Sequence, residues 1–72
     1  MTAKRKRRVH VYTGKDGDWR WQLKAGNGEI VATSGEGYRN LDDCVVIATE
    51  VNPGIETVLH QDGREIVLEV DE

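Results

Sequence analysis

The sequence predicts a small α+β domain: an antiparallel three-stranded sheet, one helix, then one or two C-terminal strands. Three observations carry this. Segments of period-two alternation flank two turn signals in the first half of the chain. An apolar stripe at helical spacing follows, opened by Asn40 and stopped by Asn52-Pro53-Gly54. Apolar and β-branched residues then recur from Ile55 to Val70 around a central Asp62-Gly63.

The first strand is predicted over Val9–Thr13 and the second over Trp19–Ala25, where Trp-Arg-Trp-Gln-Leu-Lys-Ala alternates almost without fault. A three-residue loop over Lys15, Asp16 and Gly17 places Gly17 in the left-handed conformation it tolerates best. That register pairs Val11 with Trp21 and Val9 with Leu23 on one face. Tyr12 then meets Arg20, and His10 meets Gln22, on the other.

Asn27-Gly28 suggests a two-residue type I′ turn into a third strand, because both of its positions need positive φ. It pairs Ala25 with Ile30, Leu23 with Ala32 and Trp21 with Ser34, and opposite them Lys24 with Val31 and Gln22 with Thr33. Both turns thus define one apolar face of Val9, Val11, Trp19, Trp21, Leu23, Ala25, Ile30 and Ala32. A one-residue slip would turn the third strand inside out.

Asn40 is the expected helix N-cap, with Asp42 and Asp43 suited to the positive end of the dipole. Leu41, Cys44, Ala48 and Val51 form the stripe, with Ile47 beside it and Val45 and Val46 widening it. Asp62-Gly63 as a two-residue turn pairs Leu59 with Ile66, Thr57 with Leu68 and Ile55 with Val70. Glu56 would then oppose Glu69, which makes Ile55–His60 the weaker strand of this hairpin and Glu65–Val70 the surer.

Charge divides the chain unevenly. Lys4, Arg5, Lys6, Arg7 and Arg8 are five of its ten basic residues, and all 13 acids lie beyond them. Residues 9–72 therefore carry 5 − 13 = −8, against −3 overall. Residues 1–8 are expected to form a disordered basic tail, and 9–72 a single domain. Cys44 is the only cysteine, which excludes an intrachain disulfide. With no apolar signal segment or membrane-length run, a soluble cytoplasmic protein is expected.

No catalytic, cofactor or metal site is expected. Ser34 lies at a strand end and Cys44 on the helix stripe, where a free cysteine packs as a small hydrophobe. His10 and His60 are isolated in sequence, without a Cys or His at ligand spacing. The carboxylates form no calcium-loop pattern. Ser34-Gly35-Glu36-Gly37-Tyr38 lacks the Gly-Lys-Ser/Thr ending of a phosphate loop, and Glu36 would repel a phosphate. Alternation sends Trp19 and Trp21 to the face the helix must cover. The open face receives His10, Tyr12, Arg20, Gln22, Lys24, Val31 and Thr33, and is the candidate binding surface.

The run Trp19-Arg20-Trp21-Gln22-Leu23-Lys24-Ala25, then Asn27-Gly28-Glu29-Ile30-Val31-Ala32-Thr33-Ser34 and Glu36-Gly37-Tyr38, resembles the YegP-like family. The resemblance spans roughly residues 9–52. It implies three strands, a helix and a further strand, with two such units joining into one continuous sheet by exchanging C-terminal strands. A single-unit chain would then be a homodimer. The family supplies no established biochemical activity, so the expected function is a non-enzymatic homodimeric module that binds or scaffolds an unidentified partner. The alternative is accessory nucleic-acid binding through Lys4, Arg5, Lys6, Arg7 and Arg8, aided by Arg20 and Lys24. Against it stands the acidic body, which repels a polyanion.

Overall fold

A computed structural model describes residues 7–68. Its elements are β1 (Arg8–Thr13), β2 (Trp19–Lys24), β3 (Ile30–Thr33), α1 (Leu41–Val51), β4 (Glu56–Gln61) and β5 (Arg64–Leu68). The five strands form one mixed sheet in the order β3-β2-β1-β4-β5. β1–β2, β2–β3 and β4–β5 are antiparallel, whereas β4 returns beside β1 in parallel. The α+β class and the antiparallel three-stranded unit agree with expectation. The parallel seam makes the whole sheet mixed, because the chain passes through α1 before β4 joins it.

The first hairpin adopts the predicted register from Thr13↔Trp19 to Arg8↔Lys24. Gly14 and Asp18 close its loop, the Gly14 N–H donating to the Asp18 carbonyl at 2.9 Å, and Gly17 takes φ 86°. β1 begins at Arg8, inside the stretch assigned to the tail, because Arg8 pairs with Lys24 on one side and Glu56 on the other. Met1–Lys6 lie outside the described residues, as do Glu69 and Val70 and their expected pairings.

The second turn corrects the prediction. Its loop is Gly26-Asn27-Gly28, closed by the Ala25 N–H donating to the Glu29 carbonyl at 2.8 Å. Gly28 has φ 92°, while Asn27 stays out of the positive-φ region because its Oδ1 accepts from the Glu29 N–H at 3.0 Å. The extra loop residue shifts the pairing to Lys24↔Ile30, and a bulge at Val31 restores Leu23↔Ala32 and Gln22↔Thr33. The expected Ala25–Ile30 and Lys24–Val31 pairs are therefore absent. Ile30 leaves the core face and is 54% exposed. In the third hairpin both Asp62 (φ 54°) and Gly63 (φ 76°) are left-handed, as a two-residue type I′ turn requires, and Thr57↔Leu68 and Leu59↔Ile66 form as expected.

α1 packs mainly over β1 and β2. Val9, Val11, Trp21, Leu23, Cys44, Ala48 and Leu59 form the core, flanked by Trp19, Tyr38, Leu41 and Val45. The main-chain groups of Trp19 and Tyr38 exchange two hydrogen bonds of 2.7 and 2.8 Å, which anchors the segment leading into α1. Val51, expected on the buried stripe, is exposed at the helix end. Asn52 takes the buried place instead, its Nδ2 donating to the Ala48 carbonyl at 2.8 Å. Both C-terminal segments form strands, and β4 is more buried than β5 because it lies between β1 and β5 and not at an edge.

Candidate functional site

Opposite the helix, the sheet carries a hollow of about 520 Å³ lined by His10, Tyr12, Gln22, Lys24, His60 and Glu65. Strand alternation builds it from four neighbouring strands. His10 and Tyr12 come from β1, Gln22 and Lys24 from β2, His60 from β4 and Glu65 from β5. Beneath it, Val58 pairs with His10 on one side and Val67 on the other and is buried.

His10 and His60 are not isolated in space. The parallel β1–β4 pairing closes fifty residues of sequence separation, and His10 Nδ1 lies 2.8 Å from His60 Nε2. The ring centroids are 5.0 Å apart at an interplanar angle of 28°. A separation that exceeds the nitrogen gap by roughly two ring radii puts both nitrogens near the line between centroids, as a head-on hydrogen bond needs. One nitrogen supplies the N–H and the other its lone pair. Burial lowers the pKa of His10 below its ordinary value, and repulsion from His60, Lys24 and Arg8 acts the same way, while Glu65 opposes it. Among the described residues no group of three or more His, Cys, Asp or Glu is arranged to hold a metal ion.

The predicted surface residues do not form one surface. His10, Tyr12 and Lys24 line the hollow. Arg20 is engaged in the β1–β2 loop, its Nη1 and Nη2 each donating at 3.1 Å to the two carboxylate oxygens of Asp16. This hydrogen-bonded pairing holds the Asp16 carboxyl below its usual range. Arg8 Nε lies 2.9 Å from Glu56 Oε1, yet Glu56 Oε1 receives no aligned hydrogen bond, so the contact is an ion pair only. Arg7 is exposed, and Lys4, Arg5 and Lys6 lie outside the described residues.

His60 and Glu65 are the lining residues that sequence reasoning missed. Their signal was alternation in the last hairpin, where the Asp62-Gly63 register sets His60 opposite Glu65. Nothing in the sequence revealed that β4 would lie beside β1. Of the residues weighed as nucleophiles, Ser34 donates its hydroxyl to the Glu36 carbonyl at 2.9 Å. Cys44 is fully buried, and burial pushes its thiol pKa up, away from the reactive thiolate.

The fold defines a class of small α+β module, a mixed sheet with one helix on one face and a polar hollow on the other. Residues 15–60, from the first loop to β4, match the family described as "Domain of unknown function (DUF1508)", and the chain belongs to that family. The YegP-like resemblance is consistent with this membership. Two UPF0339 proteins, from Neisseria meningitidis serogroups B and A, are each 47% identical to the chain over 34 residues. Each match covers 47% of this chain and 59% of the relative, so the chain spans less than two-thirds of the curated relatives it matches. No solved structure gave a significant match. Among the described residues no helix is long and apolar enough to cross a membrane.

Proposed function

We propose that the protein is a non-enzymatic binding or scaffolding module that works in the cytoplasm as a homodimer. The observation that carries this is the uncovered state of β5. Consecutive residues of a strand point to opposite faces, yet Ile66 is 42% and Val67 56% exposed. Among the described residues α1 lies over β1 and β2, leaving the helix side of β5 without a lid. β3, the other edge, exposes Ile30 and Val31. Unfinished edges rich in β-branched residues favour pairing with another chain, and a second copy supplies a matching edge.

The β4–β5 hairpin is the natural unit of strand exchange. It follows a four-residue connection, Asn52 to Ile55, and joins the rest of the sheet along the parallel seam with β1. Exchanging it would keep every strand pairing while making the seam intermolecular. The hollow is then the surface offered to a partner. A buried Cys44 without a disulfide suits a reducing compartment.

The test is thermal unfolding at several protein concentrations, repeated with Val67→Lys. In a dimer whose association and folding are coupled, Tm rises with concentration. The lysine variant should lower Tm most at low concentration, since a charge on an edge strand opposes pairing. A Tm independent of concentration in both proteins overturns the homodimer.

A further inference from the structure

We propose that the His10–His60 contact is a proton-operated latch on the β1–β4 seam, closed when the pair carries at most one extra proton and opened when both rings are protonated. The argument begins with the hydrogen bond itself. At 2.8 Å, the Nδ1 of His10 and the Nε2 of His60 share one proton between them. With both rings neutral, one ring donates at the contact and the other accepts there. A first added proton goes to the free far nitrogen of the donor ring, and the contact survives as a charge-assisted bond. A second has only the contact lone pair left to take. Two N–H groups on two cations then face each other, and the bond is lost.

The surroundings decide how readily that second proton adds. On β1, Arg8 and Tyr12 share the open face with His10, and on β2 Arg20 and Lys24 do. Arg20 and Arg8 are held by Asp16 and Glu56, leaving Lys24 as the basic residue of the hollow wall. From β5, Glu65 stands opposite His60 and opposes the lowering of the His10 pKa. Burial of His10 and the repulsion around it, which lower its pKa, resist double protonation near neutrality. Acidification overcomes them, with Glu65 the one carboxylate in the hollow lining.

The position gives the latch its consequence. Four registered pairs, Arg8↔Glu56 to Val11↔Leu59, join β4 to β1, and the His contact lies across this seam on the open face. On the other face α1 covers β1 and β2 more than β4 and β5. Opening the contact therefore loosens the β4–β5 hairpin ahead of the β1–β2–β3 unit. The contact crosses the same seam whether β4 comes from the same chain or, in an exchanged dimer, from the partner, so the latch does not depend on dimerisation.

The test is amide hydrogen exchange of the full chain at pH 8 and pH 5, with protection factors corrected for the intrinsic pH dependence and measured at one low protein concentration. Protection of β4 amides such as Val58 and Leu59 should fall at least about tenfold more than that of β2 amides such as Trp21 and Leu23. In His60→Gln, which cannot take the second proton, the differential should disappear while β2 protection at pH 8 stays native. Should that variant not fold, ring titrations of the unmodified protein by NMR decide the matter. Both rings reaching the protonated state with β4 protection unchanged overturns the latch. So does equal loss across β2 and β4, which would mark global unfolding.

Discussion

Val11 and Val46 share a side chain and differ in surroundings. Val11 is fully buried on the helix side of β1, whereas Val46 is 51% exposed on α1. Val11→Ala removes buried methyl groups and leaves a void, so it should cost about 2 kcal/mol. Val46→Ala should stay within about 0.5 kcal/mol. Urea unfolding of the two variants checks the contrast, and equal losses would mean that the core is elsewhere. His10 makes a prediction about pH. Its pKa in the folded chain lies below the ordinary 6.5, with burial the largest cause. The unfolded chain then binds more protons below 6.5, so stability is complete above that value. It falls as pH drops toward the folded pKa, below which this contribution levels off. His10→Gln should flatten this part of the profile, read as urea midpoints at pH 8 and 5.5.

The three hairpins show how far an Asx-Gly pair specifies a turn. Asp16-Gly17 and Asn27-Gly28 both sit in three-residue loops, where the Asx oxygen accepts from the amide two residues on and only the glycine is left-handed. Asp62-Gly63 makes a two-residue loop with both residues left-handed. The dipeptide alone does not distinguish these outcomes. In the first hairpin, alternation around Val11 and Trp21 identified the longer loop. In the second, the bulge at Val31 let the interior pairs Leu23↔Ala32 and Gln22↔Thr33 keep their places while the loop lengthened. The sequence thus revealed the inner register but not the turn, and Ile30 was misplaced as a result. Gly28→Ala would force alanine into φ 92° and should cost about 1 kcal/mol. Gly37→Ala should cost more, about 1–3 kcal/mol, because the new Cβ would meet Asp18 Cβ at 2.6 Å. Thermal unfolding orders the two variants, and a stable Gly37→Ala protein would show that the Trp19–Tyr38 bridge is not tightly held.

For the whole molecule, local signals ran out at the β1–β4 seam. Helix bounds, the three strands before α1 and the last hairpin follow from periodicity and turn chemistry within short windows. The place of β4 depends on contacts across more than forty residues, which no local pattern encodes. Two of the six lining residues depend on that placement: His10, Tyr12, Gln22 and Lys24 were legible as one face, whereas His60 and Glu65 join them only through β4 and β5. The same topology leaves apolar residues short of cover. Val58 and Leu59 are buried and Val45, Ile55 and Leu68 partly so, but Val46, Ile66 and Val67 remain exposed. A chain of 72 residues has little core to spare, and the proposed association would cover what its helix does not. The most direct measurement is the light-scattering mass of the full chain at micromolar concentration. The homodimer account predicts twice the 8.1 kDa of one chain, and a mass of 8.1 kDa would contradict it.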